Sequence, residues 1–365
     1  MFETTVNVGH AVAKRYLAKR YMEEEPPQFK DIDTAHLLVI LANIILFLPI
    51  FFTVWYTLHH VHTTLAAVED PLPAYEPLPL SPEDDGTPKD PNDPVRGSNP
   101  NRPVTSSLRA TSRLLKSVLG WRSIFHGFGY VIILGVVSGV AVGIFNALPF
   151  VPFSIAHLFA MIVAAPFSTA WVHAIIAAPT PGSEPAKTLR SPIRPLRKIY
   201  AATWFPIFLF WAASNAAVLF PTLLGRLIGL PKLDPNHPTE PLDPEDTSII
   251  PKAICVAGVA LGLQMLLVVP ANTALKRVQA SLLPADEDTL VPFDRSFGGR
   301  IEPEVVGGRG FATLGAAIKT VPYASWVRIY LQRVKIFFVS IATYILVGMA
   351  LAVQFALLQK VTGPA

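Results

Sequence analysis

The sequence predicts an all-α membrane protein with six transmembrane helices arranged as three pseudo-repeated pairs and short surface helices in the odd-numbered loops. Three observations carry that expectation. Apolar residues make up 51% of the chain and charged residues only 15%. Several runs of mostly apolar residues reach the ~20 needed to cross a hydrocarbon core about 30 Å thick. Basic residues gather in alternate connections: 7, 5 and 8 Lys/Arg fall within residues 59–127, 179–199 and 271–333. Such clustering beside spans ordinarily sets orientation. A formal charge of +4 confined to loops argues against nucleic acid as a partner and leaves the lipid bilayer as the first one. The lone cysteine, Cys255, excludes an intramolecular disulfide.

Residues 1–33 predict an amphipathic N-terminal segment. Lys14, Arg15, Lys19 and Arg20 alternate there with Val12, Tyr16, Leu17 and Tyr21, the pattern of a membrane-surface helix. Glu3 and Glu23–Glu25 count against a mitochondrial presequence. Span 1 is expected over about Thr34–Leu58, with Asn43 and Pro49 inside it and His59, His60 and His62 at its exit. Those histidines have no visible fourth ligand, so no metal and no cofactor is expected. Residues 69–103 hold ten prolines and eight acids and bury too little apolar surface to offset their ordering entropy. They predict a disordered acidic insert, a place for a protein partner to bind.

Leu108, Leu114, Leu115 and Val118 interleave with Arg109, Arg113 and Lys116, which predicts a short surface helix. Span 2 follows over about Phe128–Leu148, with Gly135, Gly139 and Gly143 at fourfold spacing as a close-packing stripe. After a turn at Pro149 and Pro152, span 3 (about Phe153–Ala178) carries His157, Pro166, Ser168 and His173. Span 4 (about Tyr200–Leu224) carries Asn215. The loop 235–244 spaces prolines at every third residue, which favours extended polyproline II and offers a second protein-docking segment. Span 5 (Ile249–Pro270) has the pair Gly258 and Gly262, with Gln264 beyond it; span 6 runs from about Val334 to Leu358.

Internal spacing divides the chain into repeats over 34–148, 149–248 and 249–365. The interrupting prolines Pro49, Pro166 and Pro270 lie late in the odd spans or at their ends, marking hinges. From the third, Pro270, Asn272, Arg277 and Gln279 fall at offsets 0, +2, +7 and +9. Gly120, Phe125, His126 and Gly127 form a second constellation before span 2. Together these resemble the two signatures of the mitochondrial carrier family, Pro-x-(Asp/Glu)-x-x-(Lys/Arg)-x-(Lys/Arg)-x-Gln and Gly-x-x-x-x-aromatic-(Lys/Arg)-Gly. The resemblance implies a six-helix bundle with a central cavity, closed by acid–base pairs after the three prolines. This chain departs from the family there: Phe51 and Val54, Ser168 and Trp171, and Asn272 and Leu275 occupy the gate positions, and none is charged.

A gate of ion pairs is therefore not expected. Asn43, His157, Ser168, His173, Asn215, Gln264 and Asn272 are the polar candidates for a cavity lining. No paired carboxylates lie in the spans, so an enzyme is not expected. The leading functional expectation is a membrane adaptor, scaffold or insertase, alone or within a membrane complex. The alternative is a transporter of a neutral or weakly polar metabolite. The family resemblance implies a mitochondrial membrane, inner or outer; another intracellular membrane is the alternative.

Overall fold

A computed structural model describes residues 34–70, 103–178, 196–230, 248–284, 287–302 and 306–362. The amphipathic segment 1–33, the body of the insert (71–102) and the polyproline loop 235–244 lie outside them. Among the described residues the fold is all-helical, with 5 helices long and apolar enough to cross a membrane and a sixth span if one bent pair is counted as continuous.

The elements follow the hydrophobic runs. Span 1 comprises α1 (Thr34–Phe52), a π-helical stretch (Thr53–His62) and α2 (Thr63–Val68). The surface helix α3 (Leu108–Leu119) leads through a 3-10 segment (Gly120–Phe125) into α4 (Phe128–Asn146). Span 3 is the bent pair α5 (Phe153–Val163) and α6 (Ala165–Ile176), and span 4 is α7 (Leu196–Leu227). Span 5 joins α8 (Ile249–Leu263), a π-helical turn (Gln264–Val268) and α9 (Val269–Ala280). A short α10 (Leu314–Lys319) precedes α11 (Tyr323–Thr362).

All three odd spans are interrupted near the prolines picked out in the sequence. Proline lacks an N–H, and its ring crowds the carbonyl four residues back, so a regular α-helix cannot run through it unchanged. Before Pro166 the helix bends by 58° at Ala164, whose N–H reaches the carbonyls of Ala160 and Ile162. Before Pro270 the chain widens into the π-helical turn, the other common response to a lost i→i−4 bond. Pro49 differs: α1 continues past it, and the π-helical stretch begins at Thr53.

The chain forms two compact units. The smaller, residues 1–50 and 344–365, contains the first part of α1 and the last part of α11, where Asn43 and Val347 are buried. The larger, Phe51–Thr343, holds the core. Its centre is the meeting of three segments that follow the interruptions, because α2, α6 and α9 each pack against the other two. Tyr56, Val61, Leu65, Val172, Ile175 and Ile176 are fully enclosed there. Within this unit, spans adjacent in sequence also touch. Phe52 meets Phe128 edge-on at 4.6 Å, α4 packs on α5 and α6, these pack on α7, and α7 packs on α8 and α9. Ile329 of α11 joins Ala66 and Val269 in a further cluster, and His59 bonds Ser340 at 2.8 Å.

Several helices outrun their hydrophobic stretches. Span 1 continues ten residues past Leu58 to Val68, and span 5 ten past Pro270 to Ala280. In both, burial against neighbouring helices replaces lipid as the environment, so polar residues no longer end the helix. The glycine stripe needs correcting. No described atom lies within 4 Å of a Cβ built at Gly135, Gly139, Gly143, Gly258 or Gly262. The helix α4 packs instead through Val131 and Leu134 and through the buried Ala141, leaving its glycines on an exposed face.

Gly127 has a different reason to be glycine. It caps α4 with φ +75°, and a Cβ there would lie 3.2 Å from the Tyr56 hydroxyl and 3.3 Å from Ile175. Substitution Gly127→Ala is expected to destabilise the protein by more than the ~1–2 kcal/mol of the left-handed backbone alone. The matched control is Gly120→Ala, where φ is +61° but no atom lies within 4 Å. Thermal unfolding in detergent should therefore rank wild type above both variants if the glycines serve as described, and the two should separate by the contact cost at Gly127.

Candidate functional site

At the insert-bearing end of the larger unit, α2 stops at Val68 and the chain turns out of the helix at Glu69, where ψ is 117°. That turn leaves two successive carboxylates at a helix end. Glu69 accepts hydrogen bonds from the Val104 N–H (2.7 Å), the Thr105 N–H (3.1 Å) and the Thr105 hydroxyl (2.5 Å). Arg328 completes its shell at 2.9 Å and also donates to the Glu69 carbonyl. Asp70 pairs with Arg277 at 2.8 Å and accepts from the Asp294 N–H at 3.0 Å. Arg277 reaches further, to the Thr320 hydroxyl and the carbonyls of Ala67 and Val68, and its guanidinium lies 5.0 Å from the Phe297 ring centre.

Both arginines and Glu69 are buried. An isolated buried ion costs several kcal/mol, and only close pairing with further hydrogen bonds offsets this. Here each carboxylate has at least two partners and the terminal nitrogens of each guanidinium are spread over several acceptors, while Nε of Arg277 and of Arg328 has no hydrogen-bond partner among the described residues. The result is a charged latch joining the ends of span 1, the segment returning from the insert, span 5 and span 6.

Next to the latch lies a polar chain. Gln279 donates to the Ser168 hydroxyl at 2.7 Å, and its own carbonyl accepts from His173 at 2.8 Å. That acceptor fixes the proton on Nε2 of His173. The ammonium of Lys276 sits 3.8 Å above the Trp171 ring, within range for a cation–π contact. The indole of Trp171 reaches the Tyr56 hydroxyl (3.4 Å), which donates to the His126 carbonyl (2.5 Å). Arg333 is near enough for its charge to act on Lys276, His59 and His60.

The residues singled out in the sequence separate into two sets. Ser168, His173, Arg277 and Gln279 come together, with Asn272 half-buried on the same helix α9 and Pro166 and Pro270 at the heads of α6 and α9. Gly120, Phe125 and Gly127 frame the entry to span 2, with the Phe125 ring 4.8 Å from Phe52. The others do not join them: His157 and Gln264 are exposed, and Asn215 bonds the Trp211 carbonyl of its own helix. Asn43 and Pro49 belong to the smaller unit. The three histidines at the span 1 exit reach different partners: His59 meets Ser340, His60 stacks edge-on with Trp55 and Trp171, and His62 lies near Ser112.

One expectation is corrected at its edges. The insert was expected to be disordered from residue 69, yet Glu69, Asp70 and Pro103 are ordered, and Glu69 is almost fully enclosed. Ion pairs do form near the converging odd spans, although the family's gate positions are uncharged. Their acids come from the end of span 1 and their bases from Arg277 and Arg328. One sequence signal points there: Val61, Leu65 and Val68 extend the helical period beyond Leu58.

Asp294 lies in the loop beneath the latch. Burial would raise its carboxyl pKa, but hydrogen bonds from Ser296 and Gly298 and the charge of Arg277 outweigh this, so it falls below the usual 3.8. A depressed folded pKa stabilises the protein above the unfolded value and loses that contribution as pH falls through the folded value. Wild type should therefore lose stability more steeply than Asp294→Asn on acidification below about pH 4, as read by thermal unfolding across a pH series.

Compared with known proteins, the chain matches no family model, no curated protein and no solved structure. It is an integral membrane protein by its apolar helices, and the remainder of its function is read from the site.

Proposed function

We propose that this chain is a carrier-like membrane scaffold of three helix pairs that presents its acidic, proline-rich insert to a protein partner from a fixed stem. One observation carries this reading: Glu69 and Thr105, at the two ends of the insert, are bonded to each other, and Glu69 is bonded in turn to Arg328. A carboxylate holding four hydrogen bonds in a buried site is a poor gate, because opening it would expose an unpaired charge and orphan two backbone N–H groups. It is a good anchor. The three-pair arrangement is supported by the interruptions near Pro49, Pro166 and Pro270 and by the mutual packing of α2, α6 and α9. Deleting residues 71–102 is expected to leave thermal stability unchanged and to abolish copurification of the partner from the native membrane. Saturable solute flux by the purified protein in liposomes would overturn the scaffold reading. Fractionation of a tagged copy tests the mitochondrial location.

A second reading, solute transport, is favoured by Lys276 and Arg333. The sequence placed both in loops, but the structure carries α9 and α11 through them. Cations within spans mark solute pathways more often than packing, and they shift the expected solute from neutral to anionic. Anion flux in liposomes that is lost in Lys276→Gln and in Arg333→Gln is the result this reading requires.

A further inference from the structure

We infer that the turn between α4 and α5, residues 147–152, is an apolar wedge seated among the acyl chains just beneath the headgroups of the leaflet opposite the insert, with Phe150 at its tip. Seated there, it fixes the depth of the α4–α5 hairpin in the bilayer. This rests only on the chain spanning a membrane, and stands or falls apart from the scaffold and transport readings.

From Phe128 to Ser183 the chain carries no Asp, Glu, Lys or Arg, whereas every other connection between spans holds both acids and bases. The turn is therefore as apolar as the helices it joins. Leu148, Phe150 and Phe153 are exposed, Phe150 entirely so. Phe150 has φ 71°, a left-handed conformation that bulky residues rarely adopt and that glycine would take without strain. No packing among the described residues accounts for an aromatic ring held outward at that position. The backbone leaves few groups for water to satisfy. The N–H groups of Ala147, Leu148 and Val151 bond the carbonyls of Gly143, Phe145 and Leu148, while Pro149 and Pro152 have none. The Pro152 carbonyl accepts from Ile155 and Ala156, and the Ser154 carbonyl accepts from the Trp211 indole at 2.8 Å. Irregular backbone is kept out of the centre of the hydrocarbon core by its unpaired groups. Helix length places the turn at the edge instead. The 19 residues of α4 make about 28 Å of helix, slightly less than a core about 30 Å thick. Phenylalanine has no polar tip to hold it at the headgroups, unlike tryptophan or tyrosine, so its ring settles on the acyl side.

The test uses the full-length protein, in which Cys255→Ser removes the one native thiol and Phe150→Cys supplies another for a fluorescent label. Phe153→Cys, at the start of α5, gives a second reporter that does not depend on the first variant folding. Ser117→Cys, exposed on α3, calibrates a label on the water side. Each protein is reconstituted into phosphatidylcholine vesicles spin-labelled either on the headgroup or on the acyl chain near its carbonyl. The labels at 150 and 153 are expected to be quenched more strongly by the acyl-chain probe, at a depth of about 5–10 Å, and to escape iodide added to the water. The label at 117 should show the reverse order. Adding Phe150→Asp should lift the label at 153 toward the headgroups, and a label left unmoved overturns the wedge. Stronger quenching by the headgroup probe at 150 and 153, or iodide quenching equal to that at 117, overturns the inference too. So does protection from every quencher, since a second copy of the chain would then cover the turn.

Discussion

Replacing Arg328 with Met is expected to cost the folded protein about 3–5 kcal/mol, the usual penalty for stranding a buried charge by removing its partner. The stranded group is Glu69, almost wholly enclosed. Two details make the prediction sharper. First, Glu69→Gln combined with Arg328→Met should recover only part of the loss. A neutral amide no longer needs a cation, but it has one oxygen to serve the N–H groups of Val104 and Thr105, which now share two. Second, exchanging the charges, with Arg at 69 and Glu at 328, should fail altogether, because an arginine at 69 cannot accept from those N–H groups. A salt bridge acting through charge alone would be rescued by the exchange. Thermal unfolding of the three variants in one detergent distinguishes an anchor from a simple ion pair.

The second large effect is expected at Arg277. Its guanidinium joins Asp70 on one nitrogen to Thr320 on the other and lies against Phe297. A planar fork can make both bonds at once, whereas an ammonium on a flexible stem acts as a single point of charge. Arg277→Lys should therefore lose about 1.5–3 kcal/mol, in the range of one charge-assisted hydrogen bond, and Arg277→Ala should lose more by stranding Asp70. Asp70→Asn should be costly as well, since it strands Arg277, the pair's more buried partner, at 2% against 15%. All three variants are checked by the same unfolding measurement, and a Lys variant as stable as wild type would remove the fork from the account.

The spans were legible from composition because a bilayer demands long apolar helices and little else in sequence looks like one. The prolines were legible for a similar reason, since a missing N–H disturbs a helix wherever it falls. The latch was not. Glu69 and Asp70 stand at the head of a strongly acidic, proline-rich stretch, and composition averages over a window that hides two ordered residues at its edge. Only the helical period of Val61, Leu65 and Val68 tells that the buried helix runs on to meet them. Lys276 and Arg333 were hidden by the opposite habit, which ends a span at its first charge. Lys276 is tolerated because the Trp171 face lies beneath it, a contact fixed by the fold and not by neighbours in sequence. The glycine stripes erred because periodicity places residues on one face without saying which face a neighbour will use.

Glu69 and Thr105 clasp each other across a sequence separation of 36 residues, and Arg328 holds the clasp from a third part of the chain. A protease that nicks the chain anywhere between them would cut the polypeptide without dividing the molecule. The two fragments would migrate apart only once denatured, and the same site would accept a tag, a reporter or a foreign domain spliced into the backbone.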